Sequence, residues 1–323
     1  MSGAYPDQEL RRGARACWTE CLGTGREEIC LVVTDEEQLD LARVFQQEAL
    51  AVGLQALLLS VGVLERHGQD LPGPGARLLQ SVDCALLITA KSLTHTRARA
   101  SASEAGVRIA SMPMLTEEIV AGALVVDYSE IKLLSERLAE KLTGSSKAVI
   151  QTPAGTDLTL EIGGRSGIAD TGILTERGAF GNLPAGEALI APVEGKGFGR
   201  LVVDGAAAGV GLPQEPISIV VEDGRLVSVE GGTDAARLRH LLETADDNAF
   251  RIAELGIGTN SKAQLIGHPL VDEKVLGTVH VGVGNNLFMG GTQQSSTHLD
   301  LVMLQPRLLL DDIVVLEKDS ILV

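Results

Sequence analysis

The amino-acid sequence predicts an α/β N-terminal domain with a parallel sheet, joined to a β-rich α+β C-terminal domain. Three observations lead there. Between residues 29 and 110, four short apolar runs alternate with segments of helical spacing, and strand, helix, strand at this spacing means a parallel sheet. From Ala148 the texture changes to short Val/Ile-rich runs broken by glycines, which reads as mainly β. At 323 residues the chain is long enough for two domains. Gly144-Ser145-Ser146 is the expected hinge, dividing it into 1–144 and 145–323.

Taken in order, residues 7–23 have apolar spacing compatible with a helix. Ile29 to Val33 is a continuous apolar run ending at Thr34-Asp35, where Asp35 is placed to cap the next helix. That helix, Glu36 to Val52, repeats apolar residues at Leu41, Val44, Phe45, Ala49 and Val52, and Gly53 stops it. Leu54 to Val61, Val82 to Thr89 and Val107 to Ala110 are the second, third and fourth strands. An amphipathic helix from about Ser129 to Leu142, with Ile131, Leu134, Leu138 and Leu142 on one stripe, closes this half. In the second half, strands are predicted over 148–152, 158–162, 188–191, 201–203, 217–221 and 226–229, with Glu222-Asp223-Gly224-Arg225 as a hairpin turn and a helix over 234–248.

Composition narrows the class. Aromatic residues make up 2% of the chain against 45% hydrophobic overall, so the core must be built from Leu, Val, Ile and Ala. A net charge of −16 argues against nucleic acid or an anionic membrane as partner, since both need basic patches. The N-terminal stretch has no apolar h-region and no run of eighteen apolar residues follows, so a soluble cytoplasmic protein handling small molecules or peptides is expected. Cys17, Cys21, Cys30 and Cys84 lack CxxC spacing and read as small core residues. No GxGxxG follows the first strand and no GxxxxGK[ST] occurs, so no nucleotide cofactor is expected.

The chemistry concentrates between Phe250 and Asp300. Glu254, His280, His298 and Asp300 each lie in or beside an apolar run that reads as a buried strand. Ionisable groups taken out of water cost several kcal/mol unless paired or bound to a cation. In a strand, residues two apart face the same way, so His298 and Asp300 converge on one point with ligands suited to zinc, manganese, cobalt or iron. A lone HxD reads more often as a surface pair at a strand end than as a ligand pair, but Glu254 and His280 on neighbouring glycine-flanked strands favour a site. Glu187 stands where a Pro- and Gly-rich loop enters an apolar strand, a rigid yet accessible position. After the third strand, His95 is either a cap for the next helix or a substrate-facing group, and Arg97 is a second candidate for substrate contact. His240, among arginines and leucines, reads as a helix-face residue, and His67 and His268 lie in loops with no acidic residue or histidine at ligand spacing in the sequence.

Placed together, these residues resemble the M29 family of metal-dependent aminopeptidases, the aminopeptidase T group. The resemblance is carried by PAGTDL at 153–158, NLPAGEALIAP at 182–192, AELGIGTN at 253–260, DEKVLGTVHVGVG at 272–284 and STHLD at 296–300. It implies a homodimeric hydrolase with a metal-binding second domain. Two divalent ions, zinc, cobalt or manganese, would be held by Glu187, Glu254, His280, His298 and Asp300. It also implies cleavage of an N-terminal peptide or small amide bond by an activated water, with Glu187 as ligand and proton shuttle. Where that family carries a functional tyrosine, this sequence has Leu287. A more distant resemblance, through the HLD-like pair and the Leu-Thr-His segment ending at His95, is to the mononuclear iron(II) 2,5-dihydroxypyridine 5,6-dioxygenase of the same fold. That enzyme opens an aromatic ring; its extra histidine falls near Glu254, and it lacks a match for Glu187. A non-catalytic metal-binding protein is the third reading. Structural zinc sites are usually Cys-rich and closed, whereas this set has no cysteine.

Overall fold

The four apolar runs of the first half become β1 (Ile29–Thr34), β2 (Gln55–Ser60), β3 (Cys84–Ile88) and β4 (Arg108–Ser111). They lie in the order β2-β1-β3-β4, every neighbouring pair parallel. Between and around them run α1 (Asp7–Ala16), α2 (Leu39–Ala51), α3 (Gly73–Leu79), α4 (Arg97–Ala105) and α5 (Glu117–Ala121). The computed structural model describes residues 7–323.

Local chemistry shifts some boundaries. The first helix is α-helical only to Ala16, and Cys17–Cys21 continue it as a π-helical turn. α2 begins at Leu39 rather than Glu36, with Gln38 and not Asp35 at its N-cap position and no side-chain cap; the Asp35 carboxylate instead accepts from the Gln38 N–H (3.1 Å) and from the Ala90 N–H beyond β3 (2.7 Å). It therefore ties together the exits of two adjacent strands. All four cysteines are buried and free, with the Cys30 and Cys84 sulfurs 3.3 Å apart across β1 and β3.

The chain goes on through α6 (Tyr128–Thr143), β5 (Lys147–Gln151), β6 (Asp157–Glu161) and β7 (Ile168–Asp170). Then β8 (Phe180–Asn182) pairs in parallel with β4 as the fifth strand of the first sheet. The remainder is β9 (Glu187–Ile190), β10 (Gly197–Val203), β11 (Ala206–Ala207), β12 (Ile217–Glu222), β13 (Arg225–Glu230), α7 (Gly232–Ala245), β14 (Ile252–Gly258), α8 (Pro269–Asp272), β15 (Val279–Gly284), β16 (His298–Met303), β17 (Arg307–Leu310), β18 (Ile313–Glu317) and β19 (Ser320–Ile321). The Glu222–Arg225 turn closes the β12–β13 hairpin, with Asp223 and Gly224 at φ 48° and 67°, the positive values a tight two-residue turn requires.

Compactness divides the chain differently from a cut at 144/145. One unit holds the described residues up to Tyr128 together with Gly172–Ala185; the other holds Ser129–Thr171 and Gly186–Val323. The reasons are local. Leu138 and Leu142 of α6 pack into the core of the β-rich unit, while β8 hydrogen-bonds to β4. A contiguous cut therefore separates α6 from the core it serves. Among the described residues no helix is long and apolar enough to cross a membrane.

The β-rich unit contains two antiparallel sheets, ordered β13-β12-β10-β6-β5-β17-β18-β19 and β11-β16-β15-β14-β9-β7. One apolar core draws on both: Ile150, Leu158, Leu201 and Ile219 from the larger sheet, and Leu255, Ile257, Val281, Val283 and Leu301 from the smaller. Strand period two then fixes what the smaller sheet presents on its opposite face. Leu255 is fully buried in that shared core, so Leu255→Ala should cost about 2–5 kcal/mol of stability. Urea unfolding checks this; a loss below about 1 kcal/mol would show that the face is not close-packed.

Candidate metal centre

The smaller sheet has two unlike faces. Ala188 and Ile190 of β9, Leu255 and Ile257 of β14, Val279, Val281 and Val283 of β15, and Leu301 and Met303 of β16 enter the core. The alternate positions carry Glu187, Glu254, His280, His298 and Asp300. Each of these five is paired across the strands with a glycine: Glu187 with Gly258, Glu254 and Asp300 with Gly282, His280 with Gly256, and His298 with Gly284. Cross-strand partners hold their Cβ atoms about 4.5–5.5 Å apart, so a side chain at Gly256 or Gly282 would crowd the group opposite. A Cβ at Gly256 would stand 2.0 Å from His280 Nε2, and one at Gly282 would stand 2.8 Å from His298 Nε2.

The side chains meet in two groups that share Glu254: Glu187, Glu254 and His280, and Glu254, His298 and Asp300. His280 Nε2 lies 3.2 Å from Glu187 Oε2 and 3.3 Å from Glu254 Oε1. His298 Nε2 lies 3.0 Å from Glu254 Oε2 and 3.1 Å from Asp300 Oδ1. Thus the two oxygens of Glu254 face different imidazoles. His298 Nδ1 is 2.7 Å from the Asn285 carbonyl, which can only accept; the ring therefore carries a proton on Nδ1. Its Nε2 then points at two carboxylates, a place for a cation or a proton. Without a cation the proton takes that place: burial works against the imidazolium, but Asp300 and Glu254 outweigh it and push His298 well up. The same balance, with Glu187 and Glu254, raises His280.

Two residues of this centre were not expected from the sequence. Lys274 is buried, and its ammonium contacts Glu187 Oε1, Glu273 Oε1 (2.8 Å) and Asp170 Oδ2 (3.4 Å). Glu273 is pushed well up, by burial first and then, against the pull of Lys274, by Asp300 and Glu187. The available signal was three consecutive charges, Asp272-Glu273-Lys274, immediately before an apolar strand. His95 and Arg97 lie in the first unit, exposed, and belong to neither ligand group. The cap of α4 is Thr96, not His95: its hydroxyl accepts from the Arg99 N–H.

The segment leading into β16 is fixed from two sides. Glu194 accepts from the Thr292 N–H (2.7 Å) and the Asn286 side-chain amide (3.0 Å) and is paired with Arg165. Asp246 accepts from the Ser296 N–H (2.6 Å) and the Ser295 hydroxyl (2.9 Å). On this segment Leu287 and Phe288 remain exposed, and the Phe288 ring meets the His298 ring edge-on with centroids 5.4 Å apart.

Gly256→Ala should push the His280 imidazole out of place and weaken divalent-metal uptake while leaving the core face untouched; unchanged metal content by elemental analysis would show that the ring moves aside freely. A second expectation concerns acid. Partial burial works against the Glu194 carboxylate, yet the Thr292 N–H and its other donors bring it from 4.5 to about 2. A carboxylate depressed in the folded state stabilises above its unfolded pKa, and that stability is lost as pH falls from about 4.5 to about 2. Glu194→Gln should therefore lower the melting temperature at pH 7 and flatten its fall across that window. An unchanged fall in the variant would assign the acid sensitivity elsewhere.

Known proteins bear on this geometry as follows. A family model described as NicX, 2,5-dihydroxypyridine 5,6-dioxygenase, matches residues 25–323. No curated protein matches the chain. Among solved structures, the chain is similar to the 2,5-dihydroxypyridine dioxygenase from Pseudomonas putida KT2440, with a TM-score of 0.81, 17% identity and 98% of each chain covered. It is also similar to wild-type AmpT from Thermus thermophilus, with a TM-score of 0.69, 17% identity, and 98% of this chain and 99% of that one covered. At that identity the structural likenesses speak for the fold. The family match spans nearly the whole chain, and on it the chain belongs to the 2,5-dihydroxypyridine 5,6-dioxygenase (NicX) family.

Proposed function

We propose that this member of the family is a metal-dependent hydrolase that holds two divalent cations, zinc, cobalt or manganese, and cleaves an N-terminal peptide bond or a related small amide. The observation that supports the reading is the sharing of Glu254 between two three-residue groups, one oxygen toward each. A bridging carboxylate flanked by imidazoles and further carboxylates is the donor set a pair of such cations needs.

The residues fit the ions. Glu187 Oε2 is buried and faces His280 Nε2 at 3.2 Å. His298 has Nδ1 committed to the Asn285 carbonyl, leaving Nε2 for ligation. Glu187, Glu254 and His280 would hold one ion, and Glu254, His298 and Asp300 the other. Bound there, two cations supply electrophilic polarisation of an amide carbonyl and acidify a water near neutral pH.

The chain's own groups do the remaining work. Glu187 is anchored through Oε1 by Lys274, so Oε2 alone is available to ligate or to accept a proton. Leu287 stands where the M29 resemblance places a tyrosine, so no phenol serves there. The exposed Leu287 and Phe288 instead put apolar surface beside His298, which suits an apolar group on the substrate.

The family match and the TM-score of 0.81 favour a second reading, a mononuclear iron(II) ring-cleaving dioxygenase using Glu254, His298 and Asp300. Elemental analysis of protein purified anaerobically without chelator separates them. About two zinc, cobalt or manganese ions per chain, with hydrolysis of aminoacyl amides, is the expected result. One iron per chain, with consumption of oxygen and a hydroxylated pyridine, would overturn it. Replacing His298 or Asp300 by alanine should abolish metal uptake at the Glu254–His298–Asp300 group and reduce activity by at least about 100-fold; full activity in either variant would refute the ligand assignment.

A further inference from the structure

Lys274 is 3% exposed, and its ammonium stands among Glu187, Glu273 and Asp170. Three carboxylates for three N–H donors satisfies the group completely. Its backbone is fixed as well. The Lys274 carbonyl accepts from the Asn260 N–H (2.9 Å), and the Leu276 N–H donates to the Asn260 carbonyl (3.2 Å). Gly258 lets this segment lie directly on the end of β14, because a Cβ there would stand 2.0 Å from the Val275 carbonyl oxygen. A lysine immobilised at both backbone and head group is an anchor for whatever it touches.

What it touches is one oxygen of Glu187. The other, Oε2, is free of Lys274 and lies 3.2 Å from His280 Nε2. Lys274, on a fixed segment, thus reaches the outermost carboxylate of the Glu187–Glu254–His280 group.

We infer that Lys274 is a positioning clip for the metal centre, restricting Glu187 to one-oxygen ligation through Oε2. This rests on the reading of the ligand set as a two-cation centre. The clip sets the stoichiometry of the site. With Oε1 released, Glu187 turns freely and the Glu187–Glu254–His280 group loses its fixed third donor; the Glu254–His298–Asp300 group keeps its own.

The test uses full-length protein reconstituted with cobalt(II), comparing Lys274→Met, Lys274→Arg and Asp170→Asn. The readouts are metal per chain, affinity by chelator competition, and the visible absorption of the bound cobalt. Wild type should hold two ions. Lys274→Met should keep one and bind the second about 10–100-fold more weakly, a usual cost of losing a group that orients a ligand, with a changed cobalt spectrum. Lys274→Arg should restore most of the affinity and the spectrum, and Asp170→Asn should resemble wild type. Two ions bound by Lys274→Met with wild-type affinity and spectrum would overturn the inference. If Lys274→Met does not fold, Glu187→Gln and Glu187→Gln/Lys274→Met are compared, since neutralising Glu187 lessens the buried charge imbalance. Lys274→Met should then cause no additional loss, and a further loss of 10-fold or more would overturn the clip. Wild-type protein holding fewer than two ions would instead bring down the two-cation reading, and this inference with it.

Discussion

The structure of the β-rich unit depends on an electrostatic conflict held inside a sheet. Glu187, Glu254 and Asp300 sit within 3.0–3.3 Å of two imidazoles, and Glu187 and Glu254 are nearly inaccessible to water. Removing a carboxylate from water costs several kcal/mol even after relaxation, and a neighbouring carboxylate adds to that cost. The arrangement persists only with positive charge among them. Lys274 and protonated imidazoles supply it in the cation-free protein, and divalent ions would replace the imidazole protons. Geometry makes the conflict sharper, because Gly256 and Gly282 leave room beside His280, Glu254 and His298 and so allow these groups to approach one another.

Tolerance of that conflict comes from the other face of the same strands. Alternation sends Leu255, Ile257, Val281, Val283, Leu301 and Met303 into a core shared with the larger sheet. Burial of those residues stabilises the strands, and the strands impose the positions of Glu187, Glu254, His280, His298 and Asp300 whatever those side chains favour. Two irregular segments complete the centre. Residues 273–275 lie on the end of β14, and residues 285–297 are fastened by Glu194 and Asp246. Neither segment is left to find its place when a ligand arrives, so the centre is preorganised.

How much of this was legible in the sequence follows from the range over which each signal acts. Strand positions came from apolar runs of a few residues, and β1 to β4, β5, β6, β9, β12 and β13 lie where those runs are. The convergence of His298 and Asp300 also needs only period two. Glu187 is different: it sits in β9, more than sixty residues before Glu254, and only the resemblance tied the two together. Lys274 escaped because a charged triplet before a strand reads as a solvated loop, and nothing local says that Gly258 opens a berth for it. The division of the chain escaped for the same reason, since a Gly-Ser-Ser stretch suggests a hinge whereas Leu138 and Leu142 bind α6 to a core formed by strands far along the chain.

Family membership fixes the architecture more firmly than the chemistry, because unrelated reactions are grafted onto one fold by changing a few side chains. The weight therefore falls on what the ligand set would cost if it were unused. A mononuclear iron centre with open positions requires a single group of three donors, and Glu254, His298 and Asp300 already provide one. It leaves Glu187, His280 and Lys274 as a buried cluster of ionisable groups with no part in the reaction. Breaking such a cluster by removing one partner is strongly unfavourable, but replacing the whole of it by apolar residues is often neutral or stabilising. Stability alone thus gives no reason to keep Glu187 beside His280, whereas a second cation does.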